Sequence, residues 1–230
     1  MGTSPTPIEH CRGIQEPLFA LTFDDGPSEW TDAILDRLAS QRARATFFVI
    51  GSAIKGPERE ETLRRIVAEG GELGNHTFLH LPLAALGVED IRDELLRTST
   101  EIERVTGASP RYWRAPYLQS TAEVAAIAAQ LGLREIRASL VAVDYAWSSD
   151  ETAQFVLERL EPGDIVDLHD GRPPFESGAM STPTRRETVL AVEKVLREAA
   201  RRQLRAVTVT ELLAGVLNTA SPAQRKTRAP

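Results

Sequence analysis

The sequence lacks several features that define common classes of protein. Its single cysteine, Cys11, excludes an internal disulfide framework and a cysteine zinc site. No run approaches the roughly 18 apolar residues that a transmembrane helix requires. The formal net charge is −6 and the basic residues are scattered, so no basic patch of the kind that binds nucleic acid is present. We therefore expect neither nucleic acid nor a membrane as a partner.

The N-terminal stretch MGTSPTPIEHCRG also lacks the basic start and apolar centre of a secretory signal. It predicts a cytoplasmic protein, although a secreted chain trimmed of its signal would look the same. The apolar fraction of 42% and the charged fraction of 26% are those of an ordinary globular protein. A chain of 230 residues has room for one α/β domain.

Segments typical of strands alternate with segments typical of helices, which favours an α/β fold with parallel strands. The pattern predicts a polar lead over residues 1–15, one domain over 16–215 and a disordered tail over 216–230. About seven strands are expected within the domain, at residues 18–23, 45–50, 72–75, 112–114, 135–143, 164–168 and 204–209.

Three helices are indicated by apolar residues at helical spacing. One spans Ile91 to Val105 and ends at Gly107, where a residue free to adopt positive φ is favoured. The next follows a predicted capping box of Ser120 and Glu123, and the last lies around residues 189–199.

Residues capable of chemistry follow the predicted strands, at the edge where parallel sheets and barrels place their sites. Three of the chain's four histidines are among them; His10, in the polar lead, is the exception. The set consists of Asp24, Asp25, His76, His80, Arg114, Asp144 and His169.

Two histidines spaced as in His76 and His80, joined by one carboxylate, form a three-ligand metal site with an open position. The Asp-Asp-Gly turn could supply the carboxylate, and zinc is the expected ion because imidazole and carboxylate suit it. Alone, either motif could instead be structural: two satisfied histidines, and a solvated Asp-Asp-Gly turn.

If Asp25 binds the metal, Asp24 remains available to take a proton from metal-bound water. Arg114 would then keep Asp24 ionised, since a nearby opposite charge favours the charged form. His169 has the ordinary titration range of a general acid and could protonate a leaving amine. The alternatives are a surface ion pair for Arg114 and a neutral structural role for His169.

Together these motifs resemble the polysaccharide deacetylase family, carbohydrate esterase family 4. The resemblance runs from about residue 18 to residue 213 and rests on TFDDGP, HTFLH, RAPY and IVDLHD, in that order. It implies a distorted (β/α) barrel, commonly with seven strands, and metal-assisted hydrolysis of an N-acetyl group. Zinc is the implied cofactor, with cobalt or another divalent ion as the alternative.

The resemblance also implies a role for each matched residue. Asp24 would be the catalytic base, and Asp25, His76 and His80 the metal ligands. Arg114 would orient the base, the backbone N–H of Tyr117 would contribute to the oxyanion hole, and His169 would be the general acid.

The chain departs from the family pattern at places that affect the substrate. The fourth motif is altered in VDYAWSSD, so either Asp144 or Asp150 could be the carboxylate that tunes His169. Leu118 follows the RAPY motif where the family often has glycine, and residues 171–185 form a long loop that could cover the site. Expected substrate contacts are Trp113, Tyr117, Leu118 and Trp147, with a place in the core as the alternative for the three aromatic residues.

These departures favour a soluble acetylated sugar or a glycosylated metabolite as substrate, with a polymer still open. Two rival functions are a catalytically silent sugar-binding domain of the same fold and an iron oxygenase with a two-histidine, one-carboxylate triad. The oxygenase explains neither the Asp24 and Arg114 pair nor His169.

Overall fold

The computed structural model describes residues 6–11, 13–14, 16–175 and 184–219. Within these ranges the strands are Leu18–Asp24 (β1), Thr46–Val49 (β2), Glu72–Asn75 (β3), Tyr112–Trp113 (β4), Arg134–Glu135 (β5), Leu140–Val141 (β6), Ile165–His169 (β7) and Arg205–Val207 (β8). The helices there are Thr31–Ser40 (α1), Gly56–Ala68 (α2), Val88–Thr106 (α3), Ala122–Gln130 (α4), Ser149–Arg159 (α5), Arg186–Arg201 (α6) and Val209–Thr219 (α7). None of these helices is both long and apolar enough to cross a membrane.

The strands form one parallel sheet that curls into a distorted barrel with helices outside it. Seven strands follow one another in the order β5, β4, β3, β2, β1, β7, β6, and β8 pairs with the first half of β1. The predicted (β/α) barrel of about seven parallel strands is therefore confirmed.

Alternation along β1 decides which of its side chains enter the barrel. Successive side chains of a strand point to opposite faces. Phe19, Leu21 and Phe23 pack outward with helix residues in the largest core cluster, whereas Leu18 and Ala20 belong to a separate inner cluster. The inner face of β1 is thus apolar at its start and ends in Thr22 and Asp24.

The same alternation in β7 places Ile165 in the inner cluster and Val166 and Leu168 in the outer one. Asp167 and His169 therefore share the inner face with Ile165. The register pairs Thr22 with Asp167 and Asp24 with His169. Two adjacent strands bring all four polar residues to the carboxyl end of the barrel interior.

The predicted strand at residues 135–143 is wrong, because the segment contains two short strands that lie at opposite edges of the sheet. β5 pairs with β4 and β6 pairs with β7. Between them, the carbonyl groups of Ile136 and Arg137 accept hydrogen bonds from the Arg114 side chain at 3.2 and 3.3 Å. The guanidinium group thus occupies the gap that the two strands leave open.

Three local predictions also differ from the structure. The lead is not merely polar, because Ile8 and Ile14 are buried in the inner cluster. Thr121, not Ser120, caps α4 by accepting a hydrogen bond from the Val124 N–H. Helix α7 continues to residue 219, four residues into the predicted tail, and residues 220–230 lie outside the described ranges.

Candidate active site

Three buried side chains converge where β1 and β3 end: Asp25, His76 and His80. Oδ1 of Asp25 lies 3.4 Å from Nε2 of each histidine, and the three ligand atoms all lie within 4.8 Å of one another. Within the described part of the chain this Oδ1 has no hydrogen-bond partner. A buried carboxylate oxygen that faces two imidazole nitrogens in this way fits a bound divalent cation.

The backbone of another strand end orients His76. Its Nδ1 lies 2.9 Å from the carbonyl oxygen of Arg114. When Nδ1 donates to that carbonyl, the lone pair of Nε2 points towards Asp25, which is the arrangement typical of metal-binding histidines.

The electrostatics of the triad favour metal binding by two of its members. Burial opposes ionisation of Asp25, but His76 and the charges of His169 and His80 outweigh it and lower the pKa of Asp25 to about 2. Burial and the charge of His76 lower the pKa of His80 to about 4. At neutral pH Asp25 is an anion and His80 is neutral, the protonation states in which each side chain binds metals.

The pKa of His76 shifts in the opposite direction to that of His80. Burial lowers its pKa, but the charge of Asp24 and the proximity of Asp25 outweigh burial and raise it. A proton and a metal ion therefore compete for Nε2 of this residue.

Asp24 uses its two carboxylate oxygens differently. Oδ1 accepts a hydrogen bond from Nη1 of Arg114 at 2.7 Å. Oδ2 lies 3.6 Å from Nε2 of His76 and so faces the metal triad. The adjacent carboxylates of Asp24 and Asp25 thus have separate partners, although β1 delivers both.

Arg114 is completely buried and pairs with a second carboxylate besides Asp24. Nη1 also lies 2.9 Å from Oδ1 of Asp167 and 2.8 Å from Oγ1 of Thr22, and the guanidinium lies over the Phe48 ring. Burial and the charge of Asp24 outweigh the attraction of Arg114 and raise the pKa of Asp167 to about 7.

His169 makes its closest polar contact with Asp144, not with Asp150. Its Nδ1 lies 2.7 Å from Oδ1 of Asp144. Asp150 is largely exposed and pairs instead with Nζ of Lys194 at 2.8 Å. Burial lowers the pKa of His169, but the charge of Asp144 outweighs burial and raises that pKa well above its ordinary value.

The predicted substrate contacts lie in different surroundings. Tyr117 is 51% exposed, packs edge-on against His80 with ring centroids 4.8 Å apart, and has φ of 57°; Leu118, half-buried, has φ of 55°. Trp113 is completely buried among core residues of α3 and α4, so its prediction as a substrate contact is wrong. Trp147 packs against Phe155 of α5 with ring centroids 5.3 Å apart.

Sequence reasoning missed three residues of the site. Asp167 is recognisable only as a carboxylate inside the otherwise apolar strand IVDLH. The ring of Tyr145 lies edge-on to His169 with centroids 5.1 Å apart, whereas Trp147 was the residue of VDYAWSSD expected near the substrate. Glu94 of α3 accepts hydrogen bonds from the backbone between the two histidines of the triad, but in the sequence its charge resembles that of any exposed helix residue.

The start of the long loop after β7 packs directly against the site. A Cβ atom at Gly171 would lie 2.0 Å from the Asp25 carbonyl oxygen, so only glycine allows this approach. At the other end of the loop, Nε of Arg185 donates to the Gly171 carbonyl at 2.7 Å. Residues 176–183, which make up most of the loop predicted to cover the site, lie outside the described ranges.

Comparisons with known proteins agree with this geometry. A family model for polysaccharide deacetylase matches residues 13–136. The chitooligosaccharide deacetylase of Sinorhizobium fredii is 37% identical over 80% of this chain and 86% of that protein.

Solved structures that share the fold include two from Bacillus. Peptidoglycan deacetylase PdaC from Bacillus subtilis is 26% identical with a TM-score of 0.79, covering 94% of this chain and 98% of that one. A pseudoenzyme of carbohydrate esterase family 4 from Bacillus anthracis is 26% identical, also with a TM-score of 0.79, covering 91% and 69%. The chain therefore belongs to the polysaccharide deacetylase family, carbohydrate esterase family 4.

Proposed function

We propose that this chain is a metal-dependent hydrolase that removes the N-acetyl group from an acetylated amino sugar and releases acetate. One observation carries the proposal: Asp24 lies between Arg114 and the triad of Asp25, His76 and His80. A carboxylate held by a buried arginine beside a metal site can act as the base that metal-assisted hydrolysis of an amide uses.

Asp25, His76 and His80 would hold the ion and leave one or more positions open. A divalent ion in this site supplies a nucleophilic water at neutral pH and polarises the acetyl carbonyl. We propose zinc, because two imidazoles and one carboxylate suit it, and cobalt accepts the same donors.

Asp24 acts as the general base through Oδ2, the oxygen that faces the triad. Arg114 donates a hydrogen bond of 2.7 Å to the other oxygen and so fixes the orientation of the carboxylate. The backbone N–H of Tyr117 helps to bind the oxyanion, a role that follows from the family motif. One such donor contributes roughly 3 to 4 kcal/mol to stabilising a transition state.

His169 acts as the general acid and protonates the departing amine. Asp144 holds Nδ1, so Nε2 is the nitrogen left to donate the proton. The raised pKa of His169 keeps that proton in place at neutral pH. General acid catalysis of this kind contributes about 10² to 10⁴ in rate.

A short oligosaccharide of N-acetylglucosamine is the substrate that we propose to test first. The Sinorhizobium fredii relative is named for chitooligosaccharide, and the Bacillus subtilis structure for peptidoglycan. Tyr117 and Leu118 remain the proposed sugar contacts, because the Tyr117 ring packs against His80 of the triad and Leu118 is the next residue. A glycosylated small molecule is the other candidate.

Acetate release tests the proposal. Purified protein is incubated with chito-oligosaccharides, N-acetylated monosaccharides, peptidoglycan fragments and glycosylated small molecules, each with and without added zinc or cobalt. We expect metal-dependent acetate release that is fastest with chito-oligosaccharides, and none from His76→Ala. Acetate release that is insensitive to chelators and to His76→Ala would contradict the proposal.

The silent sugar-binding alternative has a precedent among the structural neighbours, one of which is a pseudoenzyme. The site described here does not favour it, because base, ligand triad and acid are all in place. Binding of acetylated sugar without acetate release would support it. The iron oxygenase is not supported, since Asp24, Arg114 and His169 have no part in its chemistry.

A further inference from the structure

The two histidines of the triad are joined by a loop with an unusual backbone. Residues 76–80 belong to no helix or strand. Thr77 and His80 have φ of 65° and 58°, in the left-handed region that residues other than glycine rarely occupy. Such conformations persist only when the surroundings hold them, so the loop depends on its hydrogen bonds.

Three of the five backbone N–H groups in this loop donate hydrogen bonds to acceptors in the loop itself, in the residue before it or in the neighbouring strand β2. The N–H of His76 donates to the Val49 carbonyl at 2.9 Å. The N–H of Thr77 donates to Oδ1 of Asn75 at 2.8 Å, and that of His80 donates to Oγ1 of Thr77 at 3.0 Å.

The two middle N–H groups, those of Phe78 and Leu79, both donate to Oε2 of Glu94, at 2.9 and 2.8 Å. Glu94 lies in α3, outside the loop, and is 4% exposed. Its neighbours Ile91 and Leu95 anchor α3 in the core, so the carboxylate is held on a rigid element. No ion pair of Glu94 occurs within the described ranges; its charge is directed at the loop.

We propose that Glu94 is a positioning residue for the metal site. This proposal rests on the proposed function. By accepting both N–H groups between the two ligands, Glu94 holds the turn that sets the separation and direction of His76 and His80. Hydrogen bonds to an ionised acceptor are about twice as strong as neutral ones. Without the carboxylate the two part-buried N–H groups lose their acceptor, and the turn shifts to regain one.

The test is the zinc affinity of the full chain, measured by competition with a chromophoric chelator. Glu94→Ala is expected to weaken zinc binding about 10- to 100-fold, as removal of a partner behind the ligands typically does. Glu94→Gln retains an acceptor oxygen and should weaken binding about two- to tenfold. Glu89→Ala, an exposed residue of the same helix, is the matched control and should bind zinc like the wild type.

Two further measurements separate positioning from a general effect on stability. Thermal unfolding of the metal-free proteins identifies a temperature at which each variant is folded, and affinities are compared there. The visible absorption spectrum of the cobalt-loaded protein reports ligand geometry, and we expect it to change in Glu94→Ala and not in Glu89→Ala.

Wild-type zinc affinity and an unchanged cobalt spectrum in folded Glu94→Ala would overturn the proposal. If Glu94→Ala does not fold, the same measurements are made on Glu94→Gln. A zinc affinity and a cobalt spectrum equal to those of the wild type would then overturn the proposal. A wild-type chain that binds neither zinc nor cobalt contradicts the proposed function itself, so the two failures are distinguishable.

Discussion

Oδ1 of Asp144 lies 2.7 Å from Nδ1 of His169, and this contact fixes the orientation of the imidazole ring. Oδ2 of the same carboxylate accepts hydrogen bonds from the His169 N–H at 3.0 Å and from Oγ1 of Thr188 at 2.6 Å. Asp144 thus uses both oxygens to hold the proposed general acid. It also supplies the charge that raises the pKa of His169 against the effect of burial.

Asp144→Asn should therefore lower the pKa of His169. An acid catalyst acts only while protonated, so the alkaline limb of the pH profile of kcat/KM should move to lower pH. Turnover at pH 8 should fall by about 10²-fold or more, since general acid catalysis contributes that much. The measurement is the rate of acetate release between pH 5 and 10.

Asp150→Asn is the matched control, because Asp150 is exposed and pairs with Lys194. Its pH profile should coincide with that of the wild type. An alkaline limb that stays in place in Asp144→Asn would show that His169 does not titrate as the acid.

Arg114→Met should damage both stability and activity. The substitution leaves two buried carboxylates, Asp24 and Asp167, without their shared cation. Breaking a buried ion pair on one side typically costs about 3 to 5 kcal/mol of unfolding free energy. Denaturant unfolding measures that cost, and Arg64→Met, which removes an exposed arginine, serves as the control. A loss no larger than that of the control would contradict the buried network.

Asp167→Asn should change how stability depends on pH. The pKa of Asp167 is raised to about 7 in the folded chain, whereas the pKa of an aspartate in an unfolded chain is about 3.9. Between these values the folded state holds a proton that the unfolded state has lost, so the wild type loses stability as pH rises. Each tenfold difference in proton affinity corresponds to about 1.4 kcal/mol.

Asparagine cannot ionise, so the variant should gain stability relative to the wild type as pH rises from 4 to 7, with no further change above. Unfolding free energies of both proteins between pH 4 and 8 test this. Asp150→Asn should run parallel to the wild type, and a parallel curve for Asp167→Asn would exclude a raised pKa for Asp167.

The residue pattern was sufficient to predict parallel strands and the strand-end residues for a physical reason, whereas the barrel was implied by the family resemblance. A parallel strand buried on both faces is a continuous apolar run, so the change to Asp24 and Asp25 marks its end. His169 likewise ends a mostly apolar strand, whereas His76 follows the polar strand β3 and was recognised by its spacing from His80. Short local signals therefore located the residues that the fold brings together.

Features that depend on distant contacts were not predictable in this way. Strands β5 and β6 are two residues each and are separated by hydrogen bonds to Arg114, a contact that no local pattern encodes. Trp113 was expected among the substrate contacts, yet strand alternation turns its side chain away from that of Arg114 and into the core. Asp167 and Glu94 are polar residues whose partners lie on other elements.

In the proposed mechanism the adjacent carboxylates have different roles: Asp24 is required for turnover and Asp25 for metal binding. The most direct test measures zinc content and acetate release of Asp24→Asn and Asp25→Asn side by side. Asp24→Asn should retain its zinc and lose turnover, while Asp25→Asn should lose both. Asp24→Asn that is fully loaded with zinc and releases acetate at the wild-type rate would contradict the account.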